Sequence, residues 1–276
     1  MHNNNHISRR TILKTGMMSV AAGTAFVPSA HAYMPDQVKP KAAGETKVVY
    51  LGGDQIHNGI EQEGAMRHMA GRAGWRIIFS RDARYITPEL ISDADLLIIT
   101  RWGGGIAGWV QGPLFEEKRT SDNYMTDELE DAIVDNVINR GMGFMALHCT
   151  IWTPDKKKFI NMLGIRPYMH GPIQRQTFHN FNQSHPISKG LTEFDLALDE
   201  NFGVELINKN AVRLYETTGY EDHRHDIGGW CLENGKGRIV GLGAGHTSDP
   251  WRHPQYSQMH WRGAHWAMKR DIPPFE

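Results

Sequence analysis

The sequence predicts an α/β protein built on a doubly wound, mainly parallel β-sheet, with added short strands in its C-terminal half. Two observations carry this prediction. Short apolar runs bounded by glycine, typical of strands buried on both faces, recur along the chain. In the N-terminal half they alternate with segments of helical period, and this βαβαβ order is typical of a parallel sheet covered by helices.

The first 32 residues are predicted to be an export signal and no part of the fold. The segment 8–14, SRRTILK, matches the twin-arginine pattern, with Ile12 where phenylalanine is common. The weakly apolar stretch 15–27 is shorter than the roughly 20 residues of a spanning helix, and Ala30-His31-Ala32 is a small-x-small cleavage signal. We therefore expect a periplasmic protein, or one otherwise exported by the twin-arginine route, without a membrane anchor after cleavage. Residues 33–44 are predicted to be a linker, and one domain is expected over 45–272.

The N-terminal half of this domain is predicted to alternate strands and helices. The best-marked helix is 126–140, with Thr126 as N-cap and Asp127 at the positive end of the helix dipole. Ile133 lies on its apolar face, and Arg140 and Gly141 are typical of a helix end. The remaining predicted elements of this half are strands 47–51, 75–79, 95–100 and 143–147 and a helix over 59–71.

The C-terminal half is predicted to consist of short strands separated by turn residues. The last two form a hairpin with an Asn234-Gly235 turn. The predicted elements are strands 174–181, 194–198, 212–217, 229–232 and 238–242, followed by a closing helix over 256–269.

Composition excludes some classes of function. The formal net charge of −1 gives no basic surface of the kind that nucleic acids require. The two cysteines, Cys149 and Cys231, are too few for a disulfide scaffold. The chain is rich in side chains suited to metal chemistry and to stacking on sugar rings, with 15 histidines and 8 tryptophans.

Three of the predicted strands lead directly to a histidine. His57 follows the strand 47–51, His148 follows 143–147, and His246 follows 238–242. Because the carboxyl ends of parallel strands line one crevice, these imidazoles are expected to form one site. Imidazole suits divalent transition metals, and a catalytic metal site typically has three protein ligands and an open position. Asp54 shares a loop with His57, where it is expected either to orient that ring or to bind substrate.

The order and spacing of several motifs resemble one protein family. The chain is similar to the ThuA-like (trehalose-utilisation) family, which has the class I glutamine amidotransferase-like, flavodoxin-like fold, over about residues 47–269. The resemblance implies catabolism of trehalose and related disaccharides through 3-keto sugars, with dependence on a metal. The motifs that carry it are GFMALH at 143–148, SHPISKGL at 184–191, DENF at 199–202, GKGRIV at 235–240, GAGH at 243–246 and the final tryptophan-containing helix.

The resemblance also implies roles for single residues. Glu200, in the DENF motif, is the expected carboxylate ligand beside His57, His148 and His246, and zinc or manganese is the expected metal. His170 matches a family position and is expected to act as a general acid or base, with His148 as the other catalytic residue. In the amidotransferase comparison His148 stands where the nucleophilic cysteine would be, and Cys149 comes one position late. A cysteine hydrolase is therefore not expected.

The sequence thus predicts a metal-dependent enzyme acting on 3-keto glycosides or disaccharides. Trp102 and Trp152 follow strand ends, where they are expected to stack on a sugar ring or to pack as a lid. A shared enediolate step would lead to elimination, hydrolysis or epimerisation, so a lyase, a hydrolase and an isomerase remain alternatives. Two other classes remain open: a non-catalytic sugar-binding accessory protein, and an amide-type hydrolase using metal-bound water. The expected partner is a small carbohydrate, with no nucleic acid, and a homo-oligomer is left open.

Overall fold

The computed structural model describes residues 39–54, 56–57, 59–81, 83–102, 125–153 and 155–275. The predicted export signal and residues 33–38 of the predicted linker lie outside the described residues. Residues 39–46 form no helix or strand, yet Lys41 donates hydrogen bonds to Asp93 and Asp95, so the end of the predicted linker is tied to the domain. Among the helices of the described ranges, none has the length and apolar character to cross a bilayer.

A nine-stranded sheet organises the domain and confirms the predicted fold class. The strands of the domain are β1 (Lys47–Gly52), β2 (Arg76–Ser80), β3 (Leu96–Thr100), β4 (Gly143–Leu147), β5 (Ile165–His170), β6 (Gln174–His179), β7 (Phe194–Asp199), β8 (Phe202–Leu206), β9 (Val212–Gly219), β10 (His225–Asn234) and β11 (Gly237–Leu242). The order in the large sheet is β2-β1-β3-β4-β11-β10-β9-β6-β7, and a separate antiparallel pair joins β5 to β8. The first five strands of this order are parallel, whereas the other four pair antiparallel. The order 2-1-3-4 followed by a fifth parallel strand is the flavodoxin-like one, and here β11 takes the fifth place.

Helices cover both faces of the parallel part. The predicted helix 126–140 is observed as α3 (Asp127–Asp135) followed by a π-helical turn, Asn136–Arg140. Thr126 caps it by accepting a hydrogen bond from Leu129 N at 3.2 Å. Gly141 ends it with a φ of 96°, a left-handed conformation that glycine adopts without strain. The helices are α1 (Gly59–Ala73), α2 (Pro88–Ile91), α3 (Asp127–Asp135), α4 (Lys157–Leu163), α5 (Asp249–Arg252) and α6 (Pro254–Ala267).

Two hydrophobic cores lie on opposite faces of the sheet. Along β1, Val48 and Tyr50 belong to one core, whereas Val49 and Leu51 belong to the other. This alternation follows from the two-residue period of a strand. The first core includes buried side chains of α1 and α6, and the second includes those of α3 and α4. Because both faces are covered, the inner parallel strands consist mainly of apolar residues, which is the pattern that made them predictable.

The structure corrects the prediction in several places. Strands β5 and β8 were not predicted, since β5 contains Pro167 and alternates buried with exposed residues in a short two-stranded pair. The short helices α2, α4 and α5 were also missed. The hairpin between β10 and β11 turns at Gly235-Lys236, one residue later than predicted, because Asn234 still pairs with Gly237. Gly235 has a φ of 58° there and takes the first turn position.

Candidate active site

Four side chains converge at the carboxyl ends of the parallel strands. His57 follows β1, His148 follows β4, His246 follows β11, and Glu200 lies between β7 and β8. One donor atom from each lies within 4.8 Å of the others. We call these four residues the crevice cluster. The structure therefore brings together all four side chains that were predicted as metal ligands.

His148 is held in one orientation by the backbone around it. It directly follows β4 with a φ of 48°, the left-handed conformation expected of a sharp strand-to-helix elbow. Its Nδ1–H donates a hydrogen bond to Gly243 O at 2.8 Å, and its side chain is 0% exposed. Burial, together with the neighbouring His57, lowers the pKa of His148 to about 3, so the ring is neutral. Its Nε2 is buried without a hydrogen-bond partner among the described residues.

His57 is oriented by a buried carboxylate. Its Nδ1 lies 2.7 Å from Oδ2 of Asp54, and because a carboxylate can only accept, the ring donates its Nδ1–H and presents a bare Nε2. Asp54 also accepts hydrogen bonds from the backbone N–H groups of His57 and Trp102, both at 2.9 Å. Burial alone would raise the pKa of Asp54, but the hydrogen bond and charge of the His57 ring and the backbone hydrogen bond from Trp102 lower it. Asp54 is 0% exposed and its carboxylate contacts Nδ1 of His57, an arrangement that fits positioning of the ring.

Glu200 joins the cluster to a further imidazole. Its Oε1 contacts Nδ1 of His246, and its Oε2 lies 3.3 Å from Nδ1 of His170. Burial alone would raise the pKa of Glu200, but the contacts with His246, His148 and His170 lower it. The Glu200 carboxylate is therefore ionised. Contact with Glu200 in turn raises the pKa of His246.

Asp199 and Gly245 support the cluster, and sequence reasoning assigned neither a role. Asp199 is 0% exposed and accepts hydrogen bonds from three backbone N–H groups, those of Glu200, Gly245 and His246. Burial raises the pKa of Asp199 to about 7. A side chain at Gly245 would place its Cβ 2.8 Å from Cβ of His148, so glycine permits this approach. The signal in the sequence was an acidic residue directly before Glu200.

The crevice cluster fits a divalent transition metal. It offers three imidazoles and one ionised carboxylate, a ligand set suited to zinc or manganese. Among the described residues, the lone pair on the buried Nε2 of His148 has no hydrogen-bond donor, and a bound cation would satisfy it. The other ring nitrogen of both His57 and His148 donates a hydrogen bond to the protein, as ligating histidines usually do.

The remaining predicted residues lie around this cluster. His170, at the end of β5, has a side chain that is 54% exposed, and its ring contacts Trp152 and Phe202 at centroid distances of 5.9 and 5.7 Å. Phe202 also contacts His148 at 4.9 Å, so it separates the buried imidazole from the exposed one. Trp102, at the end of β3, is 38% exposed. These aromatic surfaces form part of the surroundings of the cluster.

Cys149 is not arranged as a nucleophile. Its side chain is buried, with Sγ 3.7 Å from Oδ2 of Asp54, and burial, followed by the charge of Asp54, raises the pKa of the thiol well above its usual value. A buried protonated thiol is a poor nucleophile. Both Cys149 and Cys231 are free and buried.

The fold and the crevice cluster together define a doubly wound α/β protein with a histidine- and glutamate-lined site at its strand ends. The model of the ThuA family, described as trehalose utilisation, matches residues 47–267. The chain belongs to the ThuA family, as its motifs predicted. Among curated proteins, no sequence matches the chain.

Solved structures share this fold at low sequence identity. A putative ThuA-like protein from Parabacteroides merdae is 14% identical, with a TM-score of 0.61 over 84% of this chain and 93% of that one. A putative ThuA-like protein from Bacteroides uniformis is also 14% identical, with a TM-score of 0.60 over 81% and 91%. The carbohydrate deacetylase Agd3 is 9% identical, with a TM-score of 0.55 over 82% of this chain and 32% of that one.

Proposed function

We propose that this protein is a metal-dependent enzyme that acts on 3-keto glycosides or disaccharides. The observation that carries the proposal is the convergence of His57, His148, His246 and Glu200, with Nε2 of His148 buried and unsatisfied among the described residues. The family description, trehalose utilisation, supports a sugar as the substrate. The name of Agd3, a carbohydrate deacetylase on the same fold, is in keeping with this class.

The chemistry follows from an acidic C–H beside a ketone. A divalent ion held by the crevice cluster would act as a Lewis acid on the ketone and adjacent hydroxyl of the sugar, and would stabilise the enediolate. The proton must then be removed by a base outside the ligand set. Elimination of the glycosidic substituent, hydrolysis by that route, and epimerisation all share this step.

His170 is the proposed base. Its Nδ1 lies 3.3 Å from Oε2 of Glu200, so the carboxylate can hold the Nδ1–H tautomer and leave Nε2 free to accept a proton. Its half-exposed side chain is accessible to substrate, in contrast to the buried ring of His148. Glu200 would thereby have two tasks, one oxygen in the ligand set and the other orienting the base. Trp152, in ring contact with His170, is the proposed stacking surface for the sugar.

The test is proton exchange in heavy water, followed by proton NMR. A 3-keto disaccharide incubated with the enzyme should exchange the proton beside its ketone, and a chelator should stop the exchange. His170→Ala should abolish exchange while the metal content stays unchanged, and His68→Ala, an exposed histidine on α1, is the matched control. Rapid turnover of the unoxidised disaccharide would contradict the proposal and favour a hydrolase that uses metal-bound water. Sugar binding without any exchange would favour the accessory-protein alternative.

We also propose export through the twin-arginine route, on the basis of Arg9 and Arg10 in the SRRTILK segment. Because that route carries folded proteins, the metal would be inserted before export. Changing both arginines to lysine should make the precursor accumulate in the cytoplasm, as measured by fractionation and blotting. Normal export of this variant would contradict the proposed route.

A further inference from the structure

A second group of metal-binding side chains lies on the antiparallel part of the sheet, outside the crevice. It consists of His179, Glu216 and His225, and one donor atom from each lies within 4.8 Å of the others. We call it the outer cluster. Gln174 pairs with Asp199, beside the crevice, whereas His179 ends the same strand. The outer cluster is therefore roughly 16 Å further along β6, at about 3.3 Å per residue.

Strand register brings the outer cluster together. His179 pairs with Glu216 across β6 and β9, and His225 pairs with Thr218 across β10 and β9. Paired residues point to the same face of a sheet, and so do residues two apart on one strand, so all four side chains share a face. His225 Nε2 lies 3.0 Å from Oε2 of Glu216. His225 is the first residue of β10.

Thr218 fixes the two imidazole rings. Its Oγ1 lies 2.8 Å from Nε2 of His179 and 3.2 Å from Nδ1 of His225. A hydroxyl donates one hydrogen bond and accepts others, so it can serve both rings at once. This contact orients the rings as an outer partner of a ligating histidine does, and it leaves Nε2 of His225 directed at the carboxylate.

Glu216 supplies the negative charge. It is buried to 6% exposure, and Asn180 Nδ2 donates a hydrogen bond to its Oε2 at 2.5 Å. Arg213 contacts its other oxygen, Oε1. Burial alone would raise the pKa of Glu216, but it is lowered by Asn180, by Arg213 and by the two histidines. The carboxylate is therefore ionised. Within the described ranges, Arg213 is the one cation besides the imidazoles that contacts this carboxylate, and it would compete with a metal for the same charge.

We propose that the outer cluster is a second binding site for a divalent transition metal of the zinc type, with His179, Glu216 and His225 as ligands. Two imidazoles and one carboxylate form a three-ligand set that leaves a coordination position open to water. A bound ion would connect β6, β9 and β10, because each strand contributes one ligand. This inference does not depend on the proposed activity.

The test is titration of metal-free protein with Zn²⁺ and with Co²⁺. Wild type should bind two ions per chain, and His179→Ala and His225→Ala should each weaken one of the two sites at least about tenfold. Both variants should still bind an ion at the crevice cluster. His148→Ala should instead lose binding at the crevice cluster and keep it at the outer cluster. His68→Ala should bind as wild type, and circular dichroism should show that every variant is folded. A single bound ion per chain, unaffected by His179→Ala and His225→Ala, would overturn the proposal.

Arg213→Gln provides an independent test. If Glu216 coordinates the ion, removal of the competing guanidinium should tighten Zn²⁺ binding at the outer cluster, and the thermal shift produced by Zn²⁺ should increase. His225→Ala combined with Arg213→Gln should abolish both gains. Unchanged or weaker Zn²⁺ binding in Arg213→Gln would contradict coordination through Glu216.

Discussion

The crevice cluster and the outer cluster use the same donor types in opposite surroundings. In the crevice, His148 is 0% exposed, and the carboxylate of Asp54 and the carbonyl of Gly243 hold the rings from behind. On the outer face, the side chain of His225 is 51% exposed, a threonine hydroxyl orients the rings, and Arg213 contacts the carboxylate. The burial of the imidazoles and the groups that orient them therefore distinguish the two sites, together with the third imidazole of the crevice cluster.

This difference has a chemical consequence. In the crevice, Nε2 of His148 is buried and has no hydrogen-bond partner among the described residues. Coordination of this nitrogen by a metal therefore contributes more to the binding free energy than coordination of a nitrogen that is already hydrogen-bonded. On the outer face, Thr218 already contacts both rings, and Asn180 and Arg213 contact the carboxylate, so metal binding must displace an arginine contact. We therefore expect tighter metal binding and all of the catalytic activity at the crevice cluster.

The largest expected effect separates the two clusters directly. His148→Ala should lower metal affinity at the crevice by more than about 100-fold, since loss of an outer partner alone costs 10- to 100-fold. Proton exchange on a 3-keto sugar should disappear with it. Elemental analysis after dialysis and NMR exchange measure the two effects, and His225→Ala should leave exchange intact. Loss of exchange in His225→Ala, with His148→Ala unaffected, would reverse the assignment of the sites.

The next effect tests the support behind the rings. Asp54→Asn keeps the shape of the side chain but removes its charge and its fixed acceptor role toward Nδ1 of His57. Metal affinity at the crevice should fall about 10- to 100-fold, with the outer cluster unchanged. Isothermal titration with Zn²⁺ measures both sites. Equal weakening at the two sites would indicate a general structural effect and contradict a positioning role.

A pH effect sharpens the contrast between buried and exposed histidines. His260 stacks on Trp251 at 5.0 Å, and burial lowers its pKa to about 3. In the unfolded chain a histidine has a pKa of about 6.5, so below that pH the unfolded state binds a proton at His260 and the folded state does not. The free energy of unfolding therefore falls as the pH drops below about 6.5.

His260→Phe should remove this contribution, which amounts to about 2 kcal/mol between pH 7 and pH 5. Urea unfolding at both pH values, with chelator present, measures it, and His68→Ala should keep the wild-type slope. An unchanged slope in His260→Phe would show that His260 is protonated in the folded state.

The smallest effect is expected at Cys149. Because its buried thiol has a raised pKa and no catalytic role, Cys149→Ser should retain most of the exchange activity. The hydroxyl can donate to Asp54 in place of the thiol, so the stability cost should be about 1 kcal/mol. Thermal unfolding and the exchange assay measure these outcomes. Loss of activity with the metal retained would contradict this prediction and favour Cys149 as a nucleophile at the turn after β4.

Sequence patterns alone predicted the parallel half of the fold and the members of the crevice cluster. The strands buried on both faces are continuous apolar runs, and His57, His148 and His246 follow three of them. Because parallel strand ends meet at one edge of a sheet, the shared position of these histidines could be inferred before any contact was known. The family motif around Glu200 completed the set.

The tertiary structure alone decided the supports and the outer cluster. Asp54 accepts a hydrogen bond from Trp102 N, and Asp199 accepts hydrogen bonds from Gly245 N and His246 N, contacts that depend on how distant segments pack. The outer cluster depends on the register of β6, β9 and β10, which brings together residues from three separate segments of the chain. A shift of one residue would send each side chain to the opposite face, and local sequence does not encode that register.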